Sequence, residues 1–311
     1  MLRIYSNGIT AGLPPKTASQ HERVKRSDCS GWSETATRNN TAFLYSVNSI
    51  ELHGYGYAFT FTVKDLPDTP NDWHRLRDVF LKRCRRAGMI RYHWVTEWQR
   101  RGVPHLHGCI YFPEPLSWNE VQQLSKAWCD VAKPYGSLYK GQQIKPIESS
   151  LGWLKYLAKH GSRSSYHYQR SSKPVEWEST GRVWGKGGDW PTRETVVDLT
   201  IEQFHQFRRL AKSWRKADAR SPLKIVDADG KVLNPDFLGI PYDKLPRNGR
   251  RITQARKMFN RGDKDISRLI GVSEWIPEAV AFRMIESVMN RPQTTERGPL
   301  RGERLPVSVG E

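Results

Sequence analysis

The chain has 311 residues, 37 % hydrophobic and 26 % charged, with 50 Lys and Arg against 32 Asp and Glu for a net charge of +18. That length accommodates a large domain and a smaller region, and no run approaches the roughly 18 apolar residues that a membrane helix requires. The positive excess suits a polyanion, most simply nucleic acid, and the 12 Trp and 12 Tyr beside it supply rings of the kind that stack on unpaired bases.

The N-terminal stretch MLRIYSNGITAG lacks the apolar core of a secretory signal. Cys29, Cys84, Cys109 and Cys129 form neither a CxxC pair nor a zinc-finger spacing. They are expected to be reduced thiols in a cytoplasmic protein.

Residues 1–40 are polar and rich in Ser, Thr, Asn and Arg, and are expected to be an extension or a loosely attached first element. A domain is expected over 41–195. YGYAFTFTV (55–63) alternates Tyr57, Phe59, Phe61 and Val63 with Ala58, Thr60 and Thr62, which predicts a strand. Trp73, Leu76, Val79, Phe80 and Cys84 have helical spacing within 71–88, with Asn71 or Asp72 as cap and Gly88 as stop. IRYHWVTEWQ (90–99) and VPHLHGCIYF (103–112) read as further strands. Residues 115–133 read as a helix with Ser117 and Glu120 in a capping box. SSLGWLKYLAKHG (149–161) reads as a shorter helix. This order predicts an α+β domain around a central antiparallel sheet with flanking helices. Residues 196–311 are expected to form a separate, basic, mainly helical region, with helices near 200–217 and 274–290. A short hairpin is expected about Asp229-Gly230, and a dense basic run covers 246–268.

The stretch EWQRRGVPHLHGCIYF (97–112) carries the chemistry. Residues two apart on a strand share a face, so His105 and His107 project together while Leu106, Gly108, Ile110 and Phe112 face the other way. A hairpin pivoting at Gly102 would set Glu97 opposite His107 and Gln99 opposite His105, gathering Glu97, His105 and His107 on one patch. Two imidazoles and a carboxylate with open positions suit a divalent ion such as Mg²⁺, Mn²⁺ or Zn²⁺, which could act as a Lewis acid on a phosphate. The competing reading is a strand with two histidines whose partners are unrelated.

The second motif is GWLKYLAKHG (152–161), where Tyr156, Lys159 and His160 fall on one helical face. An ammonium beside a phenol favours the phenolate, and a phenolate beside a polarised phosphodiester is a nucleophile. Taken alone, most such tyrosines are packing residues.

Together, FTFT (59–62), the Glu97 strand, PHLHG, YLAK and the later GRVWGKGG resemble the HUH endonucleases, in particular the rolling-circle replication initiators of filamentous phages and related plasmids. The resemblance spans about 55–190. It implies that Glu97, His105 and His107 hold a divalent metal ion, Mg²⁺ or Mn²⁺, that Tyr156 is the nucleophile, and that Lys159 assists it. It further implies nicking of single-stranded origin DNA through a 5′-phosphotyrosyl intermediate in a bacterial host cytoplasm, with host helicase and polymerase as possible partners. Two-tyrosine members carry a second Tyr four residues on, where this chain has His160, so a single-tyrosine enzyme is expected, with Tyr166 and Tyr168 nearby. Arg100, Arg101, Lys155, Arg163, Trp184, Lys186, Arg250 and Arg251 are candidate DNA contacts, as are Trp153 and Trp190, against the plainer reading of a solvated basic face and ordinary packing aromatics.

The alternatives are a single-tyrosine transposase or plasmid relaxase with the same chemistry, and a basic nucleic-acid-binding protein that does not cleave. A histidine-triad hydrolase would need a third alternating His where Cys109 stands. A cupin-type site would place its Glu after the histidines.

Overall fold

The computed structural model describes residues 1–12, 31–161, 168–221, 225–226, 232–233, 240–241, 244–249, 252–253 and 272–290. The chain divides into two compact units, Met1–Asp198 with Ile266–Glu278, and Leu199–Asp265 with Ala279–Glu311.

The first unit opens with strands β1 (Leu2–Tyr5) and β2 (Ile9–Ala11) and helix α1 (Glu34–Ser46), then runs β3 (Tyr55–Thr62), α2 (Pro70–Arg86), β4 (Arg91–Trp98) and β5 (Pro104–Phe112). It continues through α3 (Trp118–Val131), β6 (Gln143–Pro146), α4 (Ser150–Gly161), the short α5 (Tyr168–Ser171), β7 (Trp184–Gly188) and β8 (Glu194–Val197). The second unit holds α6 (Ile201–Arg220) and the two-residue strands β9 (Ile225–Val226) and β10 (Val232–Leu233). Strand β11 (Val272–Glu274) returns to the first unit, and helix α7 (Glu278–Met289) runs from the boundary into the second. The architecture is α+β, built on antiparallel sheets.

The main sheet has the order β6-β3-β5-β4-β7, antiparallel at every step, so β5 is its middle strand. Period-2 alternation gives it two faces, and helices cover both. On one face Phe59, Phe61, Trp94, Trp98, Leu106 and Ile110 pack with Trp73 and Phe80 of α2 and Leu124 and Trp128 of α3. The Trp73 indole donates to Thr96 Oγ1 at 3.1 Å, and the Arg77 guanidinium lies 3.9 Å over the Trp94 ring. On the other face Val95, Cys109 and Tyr111 pack with Phe43 and Leu44 of α1 and Leu154, Leu157 and Ala158 of α4.

Two helix starts show how local sequence fixes these elements. Ser117 and Glu120 cap α3 reciprocally, as expected. Helix α2 is instead capped by Thr69, with Pro70 in the first turn and Asp72 at the third helical position closing the box, not as the cap. Pro70 lacks the donor that a helix start leaves unused, so it extends the helix by a residue.

Gly108 shows how tightly β5 is seated. A Cβ there would collide with the His93 carbonyl oxygen of the adjacent strand and with the Phe59 ring. Because one obstacle is backbone in a paired ladder, Gly108→Ala is expected to destabilise the unit by about 3 kcal/mol, at the upper end for overpacking. Chemical denaturation measures it directly.

The first 12 residues differ from the expectation of an extension. Strands β1 and β2 join β8 and β11 in a second sheet of order β11-β2-β1-β8. Leu2, Ile4 and Ile9 are fully buried. Their alternation spans too few residues to stand out in a polar stretch, and their partner β8 lies far along the chain, pairing Leu2 with Val197. In the second unit α6 begins at a Thr200 cap with Gln203 completing the box, and buries Phe204, Phe207 and Ala211. Strands β9 and β10 pair Val226 with Val232 and Ile225 with Leu233. The pairing is centred where a hairpin was expected, and its turn residues Asp229 and Gly230 lie outside the described residues, as does most of 246–268.

Candidate active site

The β4–β5 hairpin decides where the histidines point. Gln99 N–H donates to the Val103 carbonyl and Gly102 N–H to the Gln99 carbonyl, both at 2.9 Å, with Gly102 at φ +82. A three-residue loop of this kind needs a left-handed residue at its last position, which glycine supplies. The hairpin therefore pivots at Arg101, not at Gly102, and Glu97 stands opposite His105 while Val95 stands opposite His107. The pairing is displaced by two residues from a pivot at Gly102. An even shift keeps every side chain on its face, so Glu97, His105 and His107 still converge.

They occupy the polar end of the face that α1 and α4 cover. Thr60 and Thr62 of β3 stand opposite His107 and His105. Thr60 Oγ1 lies 3.0 Å from His107 Nδ1, which leaves Nε2 directed at Glu97. Glu97 Oε2 is 3.6 Å from that Nε2. The His105 and His107 ring centres are 4.3 Å apart. Glu97 is 1 % exposed and His107 6 %. Gln169 of α5 donates its amide Nε2 to the same Glu97 Oε2 at 3.0 Å.

These residues fit a divalent ion in donor chemistry, and the Glu97–His107 pair fits one in spacing. A separation of 3.6 Å exceeds a hydrogen bond, whereas two ligands each about 2.1 Å from one ion at 110–120° stand roughly 3.4–3.6 Å apart. The Thr60 hydroxyl on the far nitrogen of His107 is the kind of outer contact that would orient a ligating imidazole. Among the described residues no three His, Cys, Asp or Glu side chains meet as a closed ligand group. The three side chains are thus a cluster in which Glu97 and His107 are the close pair and the His105 ring stands beside His107.

Tyr156 stands beside this cluster. Its ring centre is 6.3 Å from that of His107, edge-on at 76°, and it stacks on Trp153, one turn earlier in α4, at 4.9 Å and 25°. Leu154, Leu157 and Ala158 bury the inner face of α4 and set its rotation. Tyr156 then falls on the flank and is 40 % exposed. Lys159 and His160 lie on the backbone of α4, and their side chains are outside the described residues, as are Arg163, Tyr166, Arg250 and Arg251.

The remaining candidates have identifiable partners. Arg101 holds the turn to the end of β3, donating to the Val63 carbonyl at 2.7 Å, to Gln99 Oε1 at 3.1 Å and to the Lys64 carbonyl. Arg100 lies 5.1 Å over the ring of Tyr168, itself exposed, and Lys155 lies 5.8 Å over Trp275. Trp184 stacks on Phe43, Lys186 lies 4.1 Å over that same ring, and Trp190 packs edge-on against it. Gln169 is the contact that sequence reasoning missed. Nothing in the spacing of YHYQRS marks it, because its approach to Glu97 depends on a fold 72 residues long.

His93, on the same face of β4, is fully buried and bonded through Nε2 to Asn40 Oδ1 at 2.7 Å. Burial, with a smaller contribution from the Lys186 charge, pushes its pKa down to about 3. An unfolded His titrates near 6.5. Between those values the unfolded chain binds a proton that the folded chain refuses, so stability falls as pH drops below about 6.5 and is unaffected by this group above it. At pH 5 the cost is about 2 kcal/mol. Urea denaturation at pH 7.5 and pH 5 should show that loss, and His93→Gln should remove most of it.

A family model for replication-associated proteins of the ORF2 type matches residues 56–161, a span that contains Thr60, Glu97, both histidines and Tyr156. The replication-associated protein of Pseudomonas phage Pf3 is 38 % identical over 282 residues, covering 89 % of this chain and 92 % of the phage protein. The chain belongs to this replication-associated protein family. Similarity extends to two proteins of Xylella fastidiosa whose names assign them to replication. The one from strain 9a5c is 39 % identical over 301 residues, 94 % of this chain and 97 % of the relative. The one from strain Temecula1 is 40 % identical over 285 residues, 88 % and 98 %. No solved structure matches the chain. Among the described residues no helix is long and apolar enough to cross a membrane.

Proposed function

We propose that this member of the family initiates replication by nicking single-stranded DNA at an origin, with Tyr156 as nucleophile. The observation that carries the reading is the half-exposed Tyr156 ring standing edge-on to His107, next to the buried Glu97–His107 pair. Glu97, His105 and His107 would hold one divalent ion, Mg²⁺ or Mn²⁺, which when bound supplies Lewis acidity to a non-bridging oxygen of the scissile phosphate.

The chain's own groups do the rest. Tyr156 Oη gives up its proton and attacks phosphorus. The bond from phosphorus to the 3′ oxygen breaks, that oxygen takes up a proton, and the 5′ phosphate remains joined to the tyrosine. Lys159, three residues on in α4, is the proposed counter-charge for the phenolate. The phosphotyrosyl ester keeps the energy of the broken linkage, so attack by a 3′ hydroxyl on it reseals the strand. The freed 3′ end is a primer for a host polymerase, and a host helicase would open the duplex ahead of it. The net charge of +18 favours the DNA backbone at low salt.

The test incubates the protein with labelled single-stranded origin DNA and Mn²⁺, then maps the adducted residue by mass spectrometry. A phosphotyrosyl peptide centred on Tyr156 is expected. Binding with no Mn²⁺-dependent product would favour a non-cleaving DNA-binding protein. Efficient cleavage of transposon ends in preference to an origin would favour a transposase.

A further inference from the structure

We infer that Gln169 is the positioning residue of the Glu97 carboxylate, an inference that rests on the metal-assisted reading above. Its amide Nε2 donates at 3.0 Å to Glu97 Oε2, the same oxygen that stands 3.6 Å from His107 Nε2. Glu97 is all but inaccessible to water, so the direction of its lone pairs is set by protein donors. An amide is suited to that task. It fixes the carboxylate without bringing a positive charge that would compete with a cation, as a Lys or Arg at the same place would.

Gln169 is itself held on both sides. Arg100, from the β4–β5 turn, lies 5.1 Å over the ring of Tyr168. Arg170 donates from Nη1 to Thr37 Oγ1 of α1 at 3.0 Å and lies 4.9 Å over Trp32, whose indole donates to the Thr96 carbonyl at 2.8 Å. The consecutive residues of α5 are therefore tied to the hairpin turn, to Glu97 and to α1. Glu97 thus has on its Oε2 side what His107 has at Thr60: an outer partner that fixes the donor atom. In metal centres such partners are worth 10–100-fold in affinity.

The test is Mn²⁺ binding to the full chain without DNA, followed by the electron paramagnetic resonance of free Mn²⁺. Gln169→Ala and Gln169→Met are both expected to bind Mn²⁺ about tenfold more weakly than wild type. Their melting temperature in metal-free buffer and their single-stranded DNA affinity in chelator should be unchanged. Nicking should need correspondingly more Mn²⁺ but approach the wild-type rate at saturation, a split that general damage to the fold would not give. If both variants bind Mn²⁺ as wild type does while Glu97→Ala loses it, the inference is overturned and the metal reading stands. If Met at 169 keeps the affinity and Ala does not, packing accounts for the effect and the inference is also overturned. If Glu97→Ala binds Mn²⁺ like wild type, the metal reading falls and takes the inference with it.

Discussion

Tyr156→Phe protein is expected to form no covalent complex with origin DNA, with nicking reduced by at least about a thousandfold. The substitution removes one oxygen from a ring that is 40 % exposed. The stack on Trp153 at 4.9 Å uses the ring face and survives in Phe. Leu154, Leu157 and Ala158, which seat α4, are untouched. The melting temperature and the affinity for single-stranded DNA should therefore match wild type, which separates loss of chemistry from loss of fold. The measurement is a denaturing gel of labelled oligonucleotide after incubation with Mn²⁺. A shifted, protein-linked band of wild-type intensity from the Phe variant would reassign the nucleophile, with the exposed Tyr168 as the next candidate.

The second large effect is expected at the carboxylate. Glu97→Gln keeps the volume of a side chain that is 1 % exposed but removes its charge. Nicking is expected to fall about a hundredfold or more at fixed Mn²⁺, in line with loss of a group that stabilises transition-state charge. Stability in chelator is expected to change little, because the amide fills the same volume and its oxygen can still accept from Gln169. The two states can be told apart by heating. A ligand that binds only the folded chain raises its stability in proportion to the logarithm of ligand over dissociation constant. Wild type should melt higher in millimolar Mn²⁺ than in chelator, whereas Glu97→Gln should melt at nearly the same temperature in both. His107→Ala should behave alike. A Mn²⁺-dependent rise in both variants equal to wild type would show that the ion binds elsewhere.

Much of the site was legible because it depends on short-range pattern. HxH on a strand and a tyrosine on a helix flank each take their place from local geometry, and Glu97 joined them because strand parity survives an even shift in register. The register itself was not legible to the residue. It turned on whether Gly102 was the centre of the turn or its left-handed last position, and backbone φ, not composition, decides that. The capping box at Ser117 could be read directly, whereas the start of α2 shifted because Pro70 fits the first helical position, where no N–H is needed, and Thr69 caps it. What escaped was held by distance along the chain. Strands β1 and β2 are too short to show periodicity and are completed by β8. The amide of Gln169 reaches Glu97 only after the whole sheet has assembled. The gathering of Trp184, Lys186 and Trp190 on the Phe43 ring of α1 likewise joins parts of the chain that no local pattern relates.

Strand β5 lies between β3 and β4, with β6 and β7 outside them. Each backbone amide along it bonds to β3 or β4, strands that are themselves paired on their far sides, so exposing it requires an interior ladder to part, whereas β6 and β7 can peel from the margins. Hydrogen exchange around His105 and His107 should accordingly be among the slowest in the unit, approaching the limit set by its global opening. The histidines would then keep their register through any partial fraying at the sheet margins, and heating should extinguish metal-dependent activity together with the final unfolding transition, not ahead of it.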